Sequence, residues 1–255
     1  MKPDDSFHDR FQSDGFALLE NQLITIPQEI LKLTEKSPFT KIYHESDGSS
    51  PRSFYGFHQD PEFAGWLSAQ SLLRDTVYSI LGKDVYLHQS KVNLKNRSES
   101  SRWPYHRDFP FWNVFDHIPS NQMLNLTIFL DDVSLENGAL TFIPGSHLHF
   151  LEREKDNHLT DFSLEGSASS DLLFNFSTQE SEELESRFGS KPCTGPKGSL
   201  LIFNPDTIHG SLPALQDQCR KLMILTFNCC DNMPVRASLR PEFLCSTNYS
   251  PIVWT

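Results

Sequence analysis

Five stretches of the chain, 85–95, 123–130, 140–143, 199–203 and 222–227, alternate inward and outward residue types with a period of two. Period two sends successive side chains to opposite faces, which an extended strand does and a helix does not. Each stretch predicts a strand, so the second half of the chain is expected to be mainly β. The first half carries the helical signals. Phe63, Trp66, Leu67, Leu73, Val77, Ile80 and Leu81 recur at helical spacing and stop at Gly82, which predicts one helix over 62–81. Residues 26–33 predict a second helix with Pro27 in its first turn. Phe7, Phe11, Phe16, Leu18 and Leu19, broken by Asp14-Gly15, read as a short helix, a turn and a short strand.

Between the strands, 151–189 is polar and holds a helical stretch at 179–188, so 151–190 is expected to be a lid-like insertion. The Ser-, Asp- and Gly-rich 46–51 reads as a loop. Neither an internal repeat nor a linker divides the 255 residues, and barrels or sandwiches of this length form single units, so one domain over 1–255 is expected. Hydrophobic residues make up 38%, with 20 Phe, enough bulky apolar area for a sizeable core.

A net charge of −11 opposes binding to phosphate backbones and anionic bilayers, which argues against nucleic acid and membrane partners. No apolar run is long enough to span a bilayer, and residues 1–5 lack the apolar segment of a secretory signal, so a cytoplasmic protein is expected, monomeric or homodimeric. The five cysteines, Cys193, Cys219, Cys229, Cys230 and Cys245, show no CxxC spacing and are expected to be reduced thiols.

His106 and Asp108 stand at i and i+2. In an extended stretch both would leave one face and meet one metal ion. His209, which follows the apolar strand 199–203, completes a set of two imidazoles and one carboxylate. That set suits non-haem Fe(II) and leaves coordination positions open, two for the keto and carboxylate oxygens of 2-oxoglutarate and one for O2. Arg220, eleven residues after His209, is a guanidinium suited to clasp a distal carboxylate through two charge-assisted hydrogen bonds. Thr226 and Asn228 share its face by alternation, and Gln89, Lys91 and Asn93 share one face of 85–95, which reads as a lined cavity with Lys91 a second candidate for the cosubstrate's negative charge. Two other classes use the same residues differently. A Zn or Mn barrel hydrolase or isomerase would keep the ligands but has no need of Arg220 and Lys91, and a carbohydrate-binding jelly roll leaves the convergence of ligands unexplained.

Residues 52–55, 84–93, 105–109 with Trp112, 137–140, 143–147, 198–203, 207–211 and Arg220 together resemble, in order and over nearly the whole chain, the phytanoyl-CoA dioxygenase superfamily. Within it the likeness is to the ectoine hydroxylase and free-amino-acid hydroxylase branch. The resemblance implies a mainly β double-stranded β-helix, a cupin-like jelly roll with flanking helices, and an Fe(II)- and 2-oxoglutarate-dependent hydroxylase of a small molecule. It implies iron on His106, Asp108 and His209, the far carboxylate of 2-oxoglutarate on Arg220 and Ser211 with Lys91 and Asn93 assisting, and Gln89, Trp112 and Phe111 on the substrate side. Ectoine hydroxylases carry Thr where Phe111 stands, which counts against ectoine itself. Residues 225–228, 232–234 and 240–243 resemble leucine 5-hydroxylase-type enzymes of peptide natural-product pathways. That implies Arg240 on an α-carboxylate and Asn175 or Asp171 on the α-amine of a leucine-like or lysine-like amino acid. A carboxylate at Asp108 fills the position that halogenating relatives leave to chloride, which favours hydroxylation.

Overall fold

The computed structural model describes residues 5–19, 23–45, 48, 50–82, 84–97, 101–149, 172–215 and 220–255. Helix α1 (Asp5–Asp14) turns at Gly15 into strand β1 (Phe16–Leu19), as the opening pattern predicts. Gly15 has φ +84°, and a Cβ there would collide with the Thr207 hydroxyl and the His147 ring, so this turn requires glycine on two counts. Helix α2 (Gln28–Lys36) starts behind Pro27 at its N-cap and leads to the hairpin of β2 (Lys41–His44) and β3 (Pro51–Tyr55).

The single helix expected over 62–81 is in fact two, α3 (Pro61–Ser68) and α4 (Ser71–Leu81). Gln70, with ψ 90°, leaves the helical region. The Ser68 hydroxyl donates to Gly65 O at 2.9 Å and the Gln70 amide to Trp66 O at 3.0 Å, so side chains cap carbonyls at the break. Periodicity hid the break because both helices press the same kind of apolar face, Phe63 and Leu67 then Leu73 and Val77, into one cluster.

Strands β4 (Val85–Lys95), β5 (Trp103–His106), β6 (Met123–Phe129), β7 (Leu140–Phe142), β8 (Lys191–Cys193), β9 (Leu200–Phe203), β10 (His209–Ser211) and β11 (Arg220–Cys229) follow. Helix α5 (Phe109–Phe115) lies between β5 and β6, and α6 (Thr178–Phe188) precedes β8 behind a capping box of Ser177 and Glu180. All five alternating stretches are strands, with ends within two residues of the pattern. They assemble into two antiparallel sheets, β1-β9-β6-β11-β4-β3-β2 and β5-β10-β7-β8, which is the double-stranded β-helix.

Alternation sorts the large sheet's side chains into two layers. Leu124, Leu126, Ile128, Met223 and Leu225 pack outward against α3 and α4, whereas Phe129, Leu222 and Ile224 pack inward with Phe142 of the small sheet. Each such buried side chain contributes on the order of 2 kcal/mol by leaving water. A one-residue slip of β11 would exchange the layers, so burial on both faces fixes the register that places the polar residues between them.

Of the insertion, 151–171 lies outside the described residues. From Leu172 onward the chain runs back beside β5: Asn175 forms a bridge with His106, and Phe176 N–H donates to Tyr105 O at 2.7 Å. Among the described residues no helix is long and apolar enough to cross a membrane, and Cys229, Cys230 and Cys245 are thiols.

Candidate active site

His106 closes β5 and His209 opens β10, and the two are direct partners on the antiparallel ladder. Asp108 follows where the strand gives way to α5. Its backbone is helical, φ −79° and ψ −38°, rather than extended, and its N–H donates to Pro205 O at 2.9 Å. The expected extended His-x-Asp therefore holds for the histidine alone, and a turn brings the carboxylate back toward it. His106 Nε2 lies 3.5 Å from Asp108 Oδ1 and His209 Nε2 lies 3.8 Å from Asp108 Oδ2. One donor atom from each of the three buried residues falls within 4.8 Å of the other two.

Both imidazoles are oriented from behind. His106 Nδ1 faces Pro104 O at 2.7 Å and His209 Nδ1 faces Thr207 O at 2.9 Å. A carbonyl can only accept, so each Nδ1 carries the proton and each Nε2 turns a lone pair toward its neighbours. Burial, reinforced by the adjacent His106 ring, lowers the His209 pKa to about 3, which keeps the ligand neutral. Burial pushes the Asp108 carboxyl up, but Lys91, His209 and His106 together hold it well below the usual carboxylate range. Asn125 donates from Nδ2 to Asp108 Oδ2 at 2.7 Å, and the Thr226 hydroxyl donates to Asn125 Oδ1 at 2.6 Å, which fixes which way the amide points. Two neutral imidazoles and one carboxylate, each held from behind, fit a ferrous ion.

The large sheet lays its polar residues in rungs across β4, β11 and β6. Gln89, Thr226 and Asn125 share one rung, Lys91, Ile224 and Thr127 the next, then Asn93, Leu222 and Phe129, and finally Lys95 and Arg220. Arg220 is buried inside the barrel, as expected, and its Nη2 donates to Gly138 O. Asn93 Oδ1 accepts from the Ser53 hydroxyl at 3.0 Å. The Ser211 and Thr127 hydroxyls are buried with no hydrogen-bond partner among the described residues. Orphaned buried hydroxyls cost free energy unless something occupies the space beside them. A dicarboxylate such as 2-oxoglutarate would offer them acceptors, and a guanidinium on the same face suits its far carboxylate.

Over the His106, Asp108 and His209 cluster lies a narrow cavity of about 20 Å³. Gln89, Lys91, Phe111, Trp112 and Arg240, all expected from the sequence, line it together with His106 and Asp108. Phe174 meets the Phe111 ring edge-on at 4.7 Å. Asn175 is joined to the site through its backbone bridge to His106; Asp171 lies outside the described residues. A larger cleft, of about 570 Å³, between α3 and residues 246–253 contains none of the three ligands and is a separate feature.

Four residues here went unassigned in the sequence. Asn125 and Thr127 alternate within 123–130 and carry the same polar-face signal as Gln89 and Lys91. Tyr55, at the cavity wall, has its phenol pushed up to about 12, chiefly by burial, and remains a neutral donor. Asp116, just past α5, gives no periodic signal. It accepts from His88 Nε2 at 2.9 Å, from the Ser238 hydroxyl at 2.7 Å and from Arg240 Nε at 2.8 Å, and Arg240 Nη2 also donates to it. His88 reaches it through a bulge: Thr226 pairs with Gln89 and Phe227 with Leu87, so His88 is the extra residue.

Comparison with known proteins agrees with this geometry. The family model "Phytanoyl-CoA dioxygenase (PhyH)" matches residues 11–222. The chain is 33% identical over 215 residues to an L-proline trans-4-hydroxylase of Streptomyces griseoviridis, covering 84% of this chain and 80% of that protein. It is 29% identical over 261 residues to an ectoine dioxygenase of Stutzerimonas stutzeri, covering 96% of this chain and 84% of that one. The fold matches crystalline EctD from S. alaskensis with 2-oxoglutarate and 5-hydroxyectoine at a TM-score of 0.76 and 24% identity, over 99% of this chain and 87% of that one. The chain belongs to the phytanoyl-CoA dioxygenase family and is a non-haem iron, 2-oxoglutarate-dependent dioxygenase of the hydroxylase type.

Proposed function

We propose that the enzyme hydroxylates an unactivated C–H bond of a small free L-amino acid, leucine-like or lysine-like, as in natural-product biosynthesis. The observation that carries this reading is that Arg240, a buried guanidinium, lines the same cavity as His106 and Asp108. A carboxylate held there would bring a small molecule's carbon chain toward the metal ligands. The 33% identical L-proline hydroxylase supports an amino acid as the substrate class, and Phe111 in place of a threonine counts against ectoine.

His106, Asp108 and His209 would hold the iron. Arg220 and Ser211 would take the distal carboxylate of 2-oxoglutarate, with Lys91, Asn93 and Thr127 beside it. When bound, iron and 2-oxoglutarate supply the O2 activation that inserts one oxygen atom into the substrate, with release of succinate and CO2. The chain's own part is to orient and to exclude water. Asn125 and Thr226 hold Asp108, the two backbone carbonyls hold the imidazoles, and Phe111, Trp112 and Leu172 make the cavity wall apolar where the carbon chain would lie. A carboxylate at Asp108 would hold the iron where chloride would otherwise bind, which favours hydroxylation over halogenation. Gln89 and Trp112 would contact the substrate, and Asn175 would meet its amine. One domain over 1–255, with 151–190 as a lid, completes the proposal.

The test is a mass-spectrometric screen of the free L-amino acids with purified protein, Fe(II), ascorbate and 2-oxoglutarate. Gain of one oxygen atom coupled to equimolar succinate is expected. Turnover confined to carrier-bound, peptide or non-amino-acid compounds would remove Arg240 from the role given to it.

A further inference from the structure

We infer that Asp116 is a positioning residue for substrate recognition, holding Arg240 so that the terminal edge of its guanidinium faces the metal cavity as a carboxylate receptor. The inference rests on the amino-acid reading above and names the device that would make it selective.

Asp116 is fully buried just past the end of α5. Its two oxygens take four donors. Oδ1 accepts from the Ser238 hydroxyl at 2.7 Å and Arg240 Nε at 2.8 Å, and Oδ2 accepts from His88 Nε2 at 2.9 Å and from Arg240 Nη2. A guanidinium has two edges that match a carboxylate, one of Nε with one Nη and one formed by the two terminal nitrogens. Asp116 occupies the first edge completely. The second remains, and its Nη1 makes no hydrogen bond among the described residues while the side chain lines the cavity. A planar fork clamped on one edge has little rotational freedom on the other, so a substrate carboxylate would meet donors already aimed at it.

The elements that carry this carboxylate also build the cavity. Helix α5 supplies Phe111 and Trp112, and Trp112 packs edge-on against His88 at 6.0 Å between ring centroids. The bulge at His88 lets that residue reach Asp116 while its neighbour Gln89 lines the cavity and donates to Leu244 O at 2.6 Å. A regular β4 would send adjacent side chains to opposite faces. The extra residue thus serves two neighbours at once, and an ion pair needed only for packing would not require it.

The probes are L-leucine, L-lysine and L-proline, each with its carboxamide, titrated calorimetrically into protein loaded with Co(II) and 2-oxoglutarate, with steady-state KM and kcat on whichever binds best. Wild type is expected to prefer the acid over the amide. Asp116→Asn keeps the volume but removes the charge and one acceptor. It is expected to weaken the acid by on the order of 10- to 100-fold, to narrow the acid-to-amide preference, and to leave 2-oxoglutarate affinity within about twofold. Arg240→Gln should do the same. If Arg240→Gln leaves acid affinity unchanged, or none of the three acids binds wild type, the amino-acid reading fails and takes this inference with it. If Arg240→Gln weakens the acid but Asp116→Asn does not, the reading stands and the inference is overturned. Should Asp116→Asn fail to fold, Ser238→Ala and His88→Leu each remove one donor from Asp116. A several-fold selective loss of the acid in either variant supports the inference, and no change in both overturns it.

Discussion

Replacing Asn125 by Leu removes a side-chain amide that steers the Asp108 carboxylate proposed to hold iron. Asn125 is fully buried and donates at 2.7 Å to Asp108 Oδ2, which faces His209 Nε2 at 3.8 Å. A hydrogen bond to a charged, buried acceptor contributes about 1.5–3 kcal/mol. If that whole increment is felt as metal affinity, it corresponds to a loss of about 10- to 100-fold, the range found when the outer partner of a metal ligand is deleted. Thr226→Val acts one step further out, removing only the 2.6 Å hydroxyl contact that orients the amide. It should cost about 0.5–1.5 kcal/mol, or about 2- to 10-fold. Anaerobic titration of Co(II) into apoprotein measures both, with thermal unfolding of the apoprotein as the control for packing. Wild-type Co(II) affinity in Asn125→Leu, together with a lowered Tm, would refute the reasoning and reduce the amide to a packing element.

Three further outcomes follow from the geometry. Arg220→Gln should raise the KM for 2-oxoglutarate by at least about 100-fold while leaving Co(II) affinity near wild type, since the guanidinium is buried but contributes no atom to the His106, Asp108 and His209 cluster; kinetics with varied 2-oxoglutarate check this. His58, lowered to about 3 chiefly by burial with the His88 ring adding to it, binds its proton more weakly folded than unfolded, where about 6.5 applies. Its contribution to stability is therefore flat above pH 6.5 and falls with pH toward 3, by about 2 kcal/mol at pH 5, so His58→Gln should flatten the stability profile of urea unfolding between pH 7.5 and 5 by that amount. Phe111→Thr removes the ring that meets Phe174 at 4.7 Å and enlarges the cavity; a substrate screen should show activity moving toward bulkier or cyclic substrates, and an unchanged profile would take Phe111 out of the specificity wall.

The strands β4, β6, β9 and β11 were legible because they are buried on both faces, so each of their side chains must suit one of two different layers, whereas the exposed edge strand β2 gave no such signal. Lys91 and Asn93 face in and Val92 and Leu94 face out, and a one-residue error in the reading would have shown as polar groups in an apolar layer. The triad His106, Asp108 and His209 was legible from its setting: an imidazole and a carboxylate two residues apart carry little alone, and the polar faces around Lys91 and Arg220 with a second imidazole beyond a strand gave the pair its meaning. What stayed hidden lacks a period. The break at Ala69-Gln70 leaves the apolar rhythm of 62–81 intact, and the bulge at His88 adds a residue without changing the residue types around it. Asp116 sits past a helix end, where its four donors, drawn from β4 and from residues 238–240, are set by tertiary packing alone. Asn125 and Thr127 are the contrary case, since alternation within 123–130 carried their signal.

His106 and His209 occupy facing positions on one rung of β5 and β10. The gap between their Cα atoms is then set by the spacing of any antiparallel pair, about 4.5–5.5 Å, rather than by the path of a loop. The spacing of the two histidines is thus inherited from backbone geometry that every such sheet shares, and does not depend on the length of the hundred or so residues that join them. The vulnerability lies in the pairing itself: sliding one strand past the other by a single step would turn one imidazole to the far side of the sheet and abolish the site without altering any residue in it.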